Sequence, residues 1–491
     1  MSRSLIEYLI DSVNIASNIL EFLCQAFCEH IEVEERSPPK LTLSTTKALD
    51  GQIPPSVSSG GTQSSNLTYR SSSLIWAAKR GYHVIVKQLL NESANVDIAD
   101  IDGSTSLMWA AREGHSQVVE LFLERGAKIE AYDNAGLTAL MWAARKGHGQ
   151  VVELFLERGA KIEACDHAGL TALIWAAREG HGQAIERFLE RGAKIEACDH
   201  AGLTALIWAV REGHGQAIEL FLERGAKIEA CDHAGLTALI WAARKGRGQV
   251  IYFFLERGAK IEAYDNAGLT ALRWAARKGH CQVVKLFLER GAKIEVYDNA
   301  GLTALMWAAR KGHCQVVELF LERGAKIEAC DHAGLTALIW AARKGHCQVV
   351  ELFLERGAKI EACDHAGLTA LIWAARKGHC QVVELFLERG AEIEACDHAG
   401  LTALIWAARE GHGQAIYSFF KGGAKIEAYD NAGLTGLMWA TRKGHSQVTE
   451  LFLKRGAKIE AYDNGRLMAL MWAAREDHGR WVTQELAHWP L

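Results

Sequence analysis

Histidine stands next to cysteine at four places in the chain, spaced 33 residues apart. The pairs are His280-Cys281, His313-Cys314, His346-Cys347 and His379-Cys380. A thiol beside an imidazole base could form a nucleophilic cysteine. Adjacent side chains at the start of a helix usually diverge, however, and no third group that would orient the imidazole recurs with the pair. The sequence also lacks a phosphate-binding loop, a nucleophile elbow and an HExxH motif, so we expect no enzyme.

A second recurring set, Cys-Asp-His, combines residue types that bind zinc. It begins at Cys165, Cys198, Cys231, Cys330, Cys363 and Cys396. Equivalent residues of adjacent copies would lie ~10 Å apart, the usual distance between packed helices, whereas zinc ligands lie about 2.0–2.3 Å from one ion. We therefore expect no metal site and no other cofactor.

Tryptophan sets the period that positions all of these residues. It recurs every 33 residues from Trp76 to Trp472. Self-similarity at such a period predicts short helical units that stack on one another, because a single unit cannot bury its apolar face alone. One aromatic residue per copy on a helix face is typical of a packed core. We interpret the Trp residues as core and not as a ligand surface.

Residues 133–165 illustrate the fold expected of one copy. Thr138 is placed to cap a first helix over residues 139–146. A second helix is predicted over residues 149–158, and Gly159 suits the left-handed residue that follows a helix. The residues that lead into the next copy carry an Asp-x-x-Gly turn, which predicts a hairpin-like loop.

The frame of each copy resembles the ankyrin repeat. In residues 133–165 the matching residues are Asp133, Gly136, Thr138, Leu140, Ala143, Ala144, Gly147, His148, Val152, Leu156, Gly159 and Ala160. Where the family has Pro-Leu-His, this chain has Ala139-Leu140-Met141, and we expect apolar contacts to replace the polar ladder of that histidine. The resemblance implies an all-α, ankyrin-type α-solenoid of about thirteen helix-turn-helix repeats, joined by hairpin-like loops, that binds proteins on its concave face.

Three segments are expected along the chain. Residues 1–36 have an amphipathic helix pattern that could cap the first copy, bind a partner helix or lie on a membrane surface. Residues 37–66 are rich in Ser, Thr, Pro and Gly and are predicted to be a disordered linker. The solenoid is expected over residues 67–491, with copies starting at 67, 100, 133, 166, 199, 232, 265, 298, 331, 364, 397, 430 and 463.

Net charge, hydropathy and cysteine spacing bear on where the protein resides and on which class of partner it binds. The formal net charge of -4 argues against general nucleic-acid binding. The sequence has no apolar stretch long enough for a membrane span. Charged residues interrupt the apolar run near the N-terminus, whereas the apolar part of a secretory signal is uncharged. Ten of the twelve Cys are repeat-periodic, unlike a disulfide framework. We expect a cytoplasmic location, with the nucleus as an alternative.

The candidate protein-binding residues lie at the end of the first helix and in the loop before it. The helix ends in an Arg-Lys pair in five consecutive copies, namely Arg244-Lys245, Arg277-Lys278, Arg310-Lys311, Arg343-Lys344 and Arg376-Lys377. A leucine of the loop is expected to form an exposed apolar rib beside this stripe at Leu236, Leu269, Leu302, Leu335 and Leu368. The alternative is that these cations only favour the helix dipole.

These residues predict a scaffold or adaptor whose protein partner includes an extended acidic segment. A structural or elastic spacer is the alternative, because near-identical copies offer a monotonous surface. A regulatory subunit associated with an enzyme is a third interpretation. A partner steered by the stripe should associate more slowly as salt increases.

Overall fold

The computed structural model of the 491-residue chain describes residues 73–475. The predicted N-terminal helix of residues 1–36 and the linker of residues 37–66 lie outside the described residues and stay predictions. The same holds for the first six residues of the first copy and for residues 476–491. The described chain falls into two compact units, a first unit of residues 73–227 and a second unit of residues 228–475.

Both units are built from pairs of short α-helices. The first unit contains α1 (73–80), α2 (His83–Asn91), α3 (Ser106–Glu113), α4 (Ser116–Glu124), α5 (Ala139–Lys146), α6 (Gly149–Glu157), α7 (Ala172–Glu179), α8 (Gly182–Glu190), α9 (Ala205–Glu212) and α10 (Gly215–Glu223). The second unit contains α11 (Ala238–Lys245), α12 (Gly248–Glu256), α13 (Ala271–Lys278), α14 (Cys281–Glu289), α15 (Ala304–Lys311), α16 (Cys314–Glu322), α17 (Ala337–Lys344), α18 (Cys347–Glu355), α19 (Ala370–Lys377), α20 (Cys380–Glu388), α21 (Ala403–Glu410), α22 (Gly413–Lys421), α23 (Gly436–Arg442), α24 (Ser446–Lys454) and α25 (Ala469–Arg475).

The first helix of each pair begins and ends where the sequence predicts. In α5, the Oγ1 atom of Thr138 accepts a hydrogen bond from the backbone N–H of Met141 at 3.4 Å. The second helix, α6, ends at Glu157, one residue before the predicted end, because Arg158 takes a C-cap conformation. Gly159 follows with φ of 79°, as predicted for a left-handed residue.

The loop between copies is a short hairpin held by an aspartate. In the copy that contains α17, Cys330 and Thr336 form an isolated antiparallel bridge. The Oδ1 atom of Asp331 accepts hydrogen bonds from the N–H groups of Ala333 and Leu335, both at 2.9 Å. The hairpin-like loop is thus confirmed, and its turn is fixed by one carboxylate oxygen.

Within each unit, first helices pack on the first helices of neighbouring copies, and second helices on second helices. The core consists of apolar residues from both rows, such as Leu305 and Ala308 of α15 with Val317 and Phe320 of α16, all of them buried. Because each copy buries its apolar face only against its neighbours, stability is a sum of copy and interface terms. The structure confirms the all-α, ankyrin-type α-solenoid architecture.

Polar contacts also join neighbouring copies. The Nε2 atom of His313 donates to the carbonyl oxygen of Arg277 at 3.1 Å, since a carbonyl can only accept. The N–H of Lys326 donates to Oε1 of Glu295 at 2.8 Å. The residues that replace the family's histidine, such as Met306 and Ile339, are buried as expected, and the histidine of the Gly-His turn adds a polar contact between copies.

His313 makes the stability of the protein depend on pH. Burial lowers the pKa of His313 against the opposing effect of its hydrogen bond to the Arg277 carbonyl, and repulsion from His346 and His280 lowers it further. The unfolded chain therefore binds this proton first, so the contribution of His313 is complete above the unfolded-state pKa of about 6.5 and is lost as pH falls from there through the lower pKa of the folded state.

We expect the melting temperature to fall between pH ~7.5 and pH ~5.5, partly through this group. His313→Gln keeps an amide donor for the carbonyl but removes the titration. The variant should lose part of the pH dependence, measured as the slope of melting temperature against pH by circular dichroism. Equal slopes in the two proteins would exclude His313 as a contributor.

Candidate protein-binding surface

From Trp109 to Trp472, the repeat tryptophans are each fixed in place by the aspartate of their own copy. In the second unit, Trp307 is buried, and its Nε1 donates to Oδ2 of Asp298 at 2.7 Å. The other oxygen of Asp298 accepts from two backbone N–H groups of the loop. The interpretation of Trp as core is confirmed for this copy, and the indole also carries a polar anchor that the sequence analysis does not foresee.

In the second unit, from α11 to α23, the arginine near the end of the first helix lies between two indole rings. The guanidinium of Arg277 is 4.8 Å from the ring centroid of Trp274 and 4.5 Å from that of Trp307 in the next copy. The same arrangement recurs in the second unit at Arg244, Arg310, Arg343, Arg376, Arg409 and Arg442. Cation–π contacts thus join each copy to the next and hold the arginines half-buried.

In five consecutive copies, an exposed lysine follows the arginine. We call the five lysines of consecutive copies the lysine row: Lys245, Lys278, Lys311, Lys344 and Lys377. Among residues 73–475, no ion pair joins any of them to an acidic side chain. The row therefore presents five ammonium groups to solvent.

The cations of neighbouring copies lie close enough to affect one another. Partial burial lowers the pKa of Lys344, and repulsion from Arg310, Arg343, Lys311 and Lys377 lowers it further. Because cations of the copies on either side repel Lys344, the positive fields of adjacent copies overlap along the row. The sequence predicts that these pairs lie side by side, and the structure brings them together.

At the equivalent position of the first unit, Glu113, Glu179 and Glu212 are acidic whereas Arg80 and Lys146 are basic, and the glutamates neutralise nearby arginines. Arg145 pairs with Glu179 of the next copy at 4.0 Å, and Arg112 pairs with Glu113 at 3.9 Å. Exposed pairs of this kind contribute little to stability. Their effect is on the local electrostatic field, so the unbroken lysine row of the second unit is more positive than this mixed surface.

The prediction that the loop leucines form an exposed apolar rib is wrong. Leu236, Leu269, Leu302, Leu335 and Leu368 are only 3–5% exposed. Each leucine N–H donates to the aspartate of its loop, which turns the side chain into the stack; for Leu302 the distance to Asp298 is 2.9 Å. The loop position that is exposed carries tyrosine in some copies, such as Tyr264 and Tyr297, and cysteine in others, such as Cys330. The alternation of Tyr and Cys at this loop position is the only sequence signal that sets them apart.

The candidate chemical sites do not have reactive geometry. Burial raises the pKa of the Cys314 thiol, the opposite of what activates a nucleophile. That thiol lies 3.6 Å from Oε1 of Gln348, while the His313 ring bonds a backbone carbonyl. In the Cys-Asp-His sets, the aspartates hold their own loops, and no group of three possible metal ligands occurs within the described range.

Within residues 73–475, no helix combines the length and the apolar character that crossing a membrane requires.

A family model for ankyrin repeats, three copies long, matches the chain over residues 74–166, 140–232, 225–298, 294–364, 338–430 and 404–488. The chain therefore belongs to the ankyrin-repeat family. Ankyrin repeats are generally protein–protein interaction modules and are typically non-enzymatic. No curated protein matches the chain.

Proposed function

We propose that this protein is a cytoplasmic scaffold or adaptor that binds an extended acidic segment of a partner protein along the lysine row. The observation that carries the proposal is the row itself, five exposed lysines of consecutive copies that no described acidic side chain neutralises. The proposal also rests on the general role of the family as an interaction module.

Electrostatic attraction is sufficient to select such a partner. Successive lysines stand one copy apart, ~10 Å, which is close to the Debye length of ~8 Å at physiological salt. Their fields therefore overlap and attract an anionic chain over a distance. The arginines beneath are held between indole rings, so the positive surface is in place before the partner arrives, and little ordering is required on binding.

Affinity capture with the full chain tests the proposal. The test variant carries glutamate at all five positions of the lysine row, a residue that the fold tolerates because Glu410 occupies the equivalent position in a later copy. The matched control replaces five exposed lysines that follow the second helices, Lys260, Lys293, Lys326, Lys359 and Lys425. Glu392 naturally occupies that position, so the control makes an equal and equally tolerated change of charge.

We expect the wild-type chain and the control variant to retain the same discrete partners, and the lysine-row variant to lose them. Partners that survive both changes would overturn the proposed surface. If none of the three proteins retains anything above background, the chain is a spacer.

The rate at which a partner associates should depend strongly on salt concentration. With a partner captured as above, we expect the association rate to fall roughly tenfold or more between low and physiological salt, because screening removes the overlapping field. The buried leucines leave no apolar rib to sustain affinity, so dissociation should also become faster. Stopped-flow mixing at several salt concentrations measures both rates. An association rate that is insensitive to salt would show that the lysines only favour the helix dipoles.

A further inference from the structure

The spacing of the lysine row is fixed by the fold and repeats from copy to copy. Each arginine carbonyl that precedes a lysine accepts a hydrogen bond from the histidine of the next copy, at 3.1 Å for Arg244, Arg277 and Arg310. Each guanidinium also lies between the rings of two copies. The helix ends are thus tied to one another, and the lysines stand at the distance between packed helices, ~8–10 Å.

We propose that the bound segment is a polyproline II helix with one carboxylate at every third residue, each carboxylate facing one lysine of the row. This inference rests on the proposed function. A polyproline II helix rises ~3.1 Å per residue with three residues per turn, so side chains three apart lie on one side and ~9 Å apart. The two spacings agree.

Other backbone conformations fit less well. In a β-strand, side chains on one face lie two residues apart, ~6.6 Å, and the residue three along points to the opposite face. In an α-helix, residues seven apart share a face at ~10.5 Å, but the helix is a straight rod. Stacked repeats rotate slightly from copy to copy, and an extended chain follows that rotation more easily than a rod does.

The charge of the row suits carboxylates. Each copy offers one exposed ammonium group, since the arginine beside it is half-buried between rings. One carboxylate balances that charge, whereas a phosphorylated side chain carries about -1.5 to -2. Five lysines over four intervals correspond to about 13 residues of the segment with five acidic side chains.

The row ends at a residue of opposite charge. The position that follows Lys377 in the next copy is Glu410, which is exposed. A sixth acidic residue three positions further along the segment would meet this carboxylate. Glu410 therefore sets the end of the acidic stretch and favours a basic residue there.

Synthetic peptides binding to the full chain test the register, with fluorescence anisotropy as the measurement. The first peptide has five glutamates at every third position, with proline and alanine between them. Two further peptides have the same composition, with glutamates at every second or every fourth position. We expect the first to bind roughly tenfold more tightly, because only that spacing places every carboxylate opposite a lysine.

A charge swap locates the contact. Lys311→Glu should weaken binding of the first peptide by a factor of about three or more, and a peptide with lysine in place of its third glutamate should recover that loss only with this variant. Lys326→Glu, which is exposed outside the row, should bind both peptides as the wild type does. Recovery by a lysine at any of the five positions would contradict a fixed register.

The alternatives have distinct outcomes. Equal binding of the three glutamate peptides would overturn the register and leave the proposed acidic partner in place. Tightest binding by a helical peptide with glutamate at every seventh residue would overturn the polyproline II conformation. Tightest binding by a phosphoserine peptide would overturn the carboxylate. If no peptide binds and captured partners survive the lysine-row variant, the proposed function fails as well.

Discussion

Trp307→Ala is expected to lower the free energy of unfolding of the second unit by about 3–5 kcal/mol. The indole is only 8% exposed, so the change leaves a cavity between copies. It also leaves Oδ2 of Asp298 without the indole donor and removes the ring between Arg277, at 4.5 Å, and Arg310, at 5.0 Å. A buried carboxylate oxygen without a donor adds to the cost of the cavity.

The loss of stability should extend to the neighbouring copies. Each copy is stabilised mainly by its neighbours, and loss of the contact with Arg277 weakens the interface with the preceding copy. Loss of the ring beside Arg310 frees an arginine that also contacts Trp340, so the interface with the next copy should weaken as well. Thermal unfolding measures the total effect, and amide hydrogen exchange shows whether the copies on either side lose protection. Trp307→Phe keeps a ring but loses the donor, so its smaller loss separates stacking from the bond to Asp298.

Tyr297→Ala is the matched control, since Tyr297 is 48% exposed on the preceding loop. It should change stability by no more than about 0.5 kcal/mol. A Trp307→Ala protein with unchanged melting and exchange would show that the tryptophans are not core residues.

The parts of this fold that follow from local rules could be predicted from the sequence. Thr138 begins α5, and Gly159 follows α6, because a capping hydroxyl and a left-handed backbone depend on a few adjacent residues. The loop leucines were predicted wrongly since loops generally lie at the surface. Whether Leu302 faces solvent or the stack depends on the bond between its N–H and Asp298, and neighbouring copies must be in place for that to be evident.

The contacts between copies were the hardest to predict. Arg277 has two ring contacts, one within α13 and one with Trp307, and only the first joins residues three apart in sequence. The hydrogen bond from His313 to the Arg277 carbonyl crosses 36 residues. A single sequence shows the period of such residues but not which of them meet across an interface. The row of cations could therefore be predicted, whereas the ring contacts and hydrogen bonds that hold it in place could not.

Arg273 is the second residue at which a large effect is expected, and here the change should stabilise the protein. Its side chain is 2% exposed, at the position that neighbouring copies fill with Met306 or Ile339. Its Nε donates to the carbonyl oxygen of Val296 at 3.1 Å and Nη1 donates to that of Gly268, but Nη2 has no hydrogen-bond partner among the described residues. Burial lowers the pKa of Arg273, although Asp298, Glu262 and Asp265 favour the charged form.

The surrounding backbone departs from the pattern of the other copies. Thr270 makes no side-chain hydrogen bond to cap α13, whereas Thr303 caps α15 at 3.3 Å. The loop of residues 297–303 also lacks the antiparallel bridge that forms between Cys330 and Thr336 in the next copy. The carbonyl of Val296 in that loop is bonded to the Arg273 side chain, so one buried guanidinium accompanies the loss of two regular interactions.

Arg273→Met should therefore raise the free energy of unfolding by about 1–4 kcal/mol, as when well-packed apolar groups replace buried charges. The N–H of residue 273 should then bond the Thr270 hydroxyl and exchange more slowly with solvent. Arg277→Met is the control, because that arginine lies between two indole rings and its loss should destabilise the protein. Denaturant unfolding of the wild type and the two variants measures whether each change raises or lowers the free energy of unfolding. If Arg273→Met proved less stable than the wild type, the two carbonyl bonds would outweigh the burial of the charge, and Arg273 would be a stabilising link between two copies.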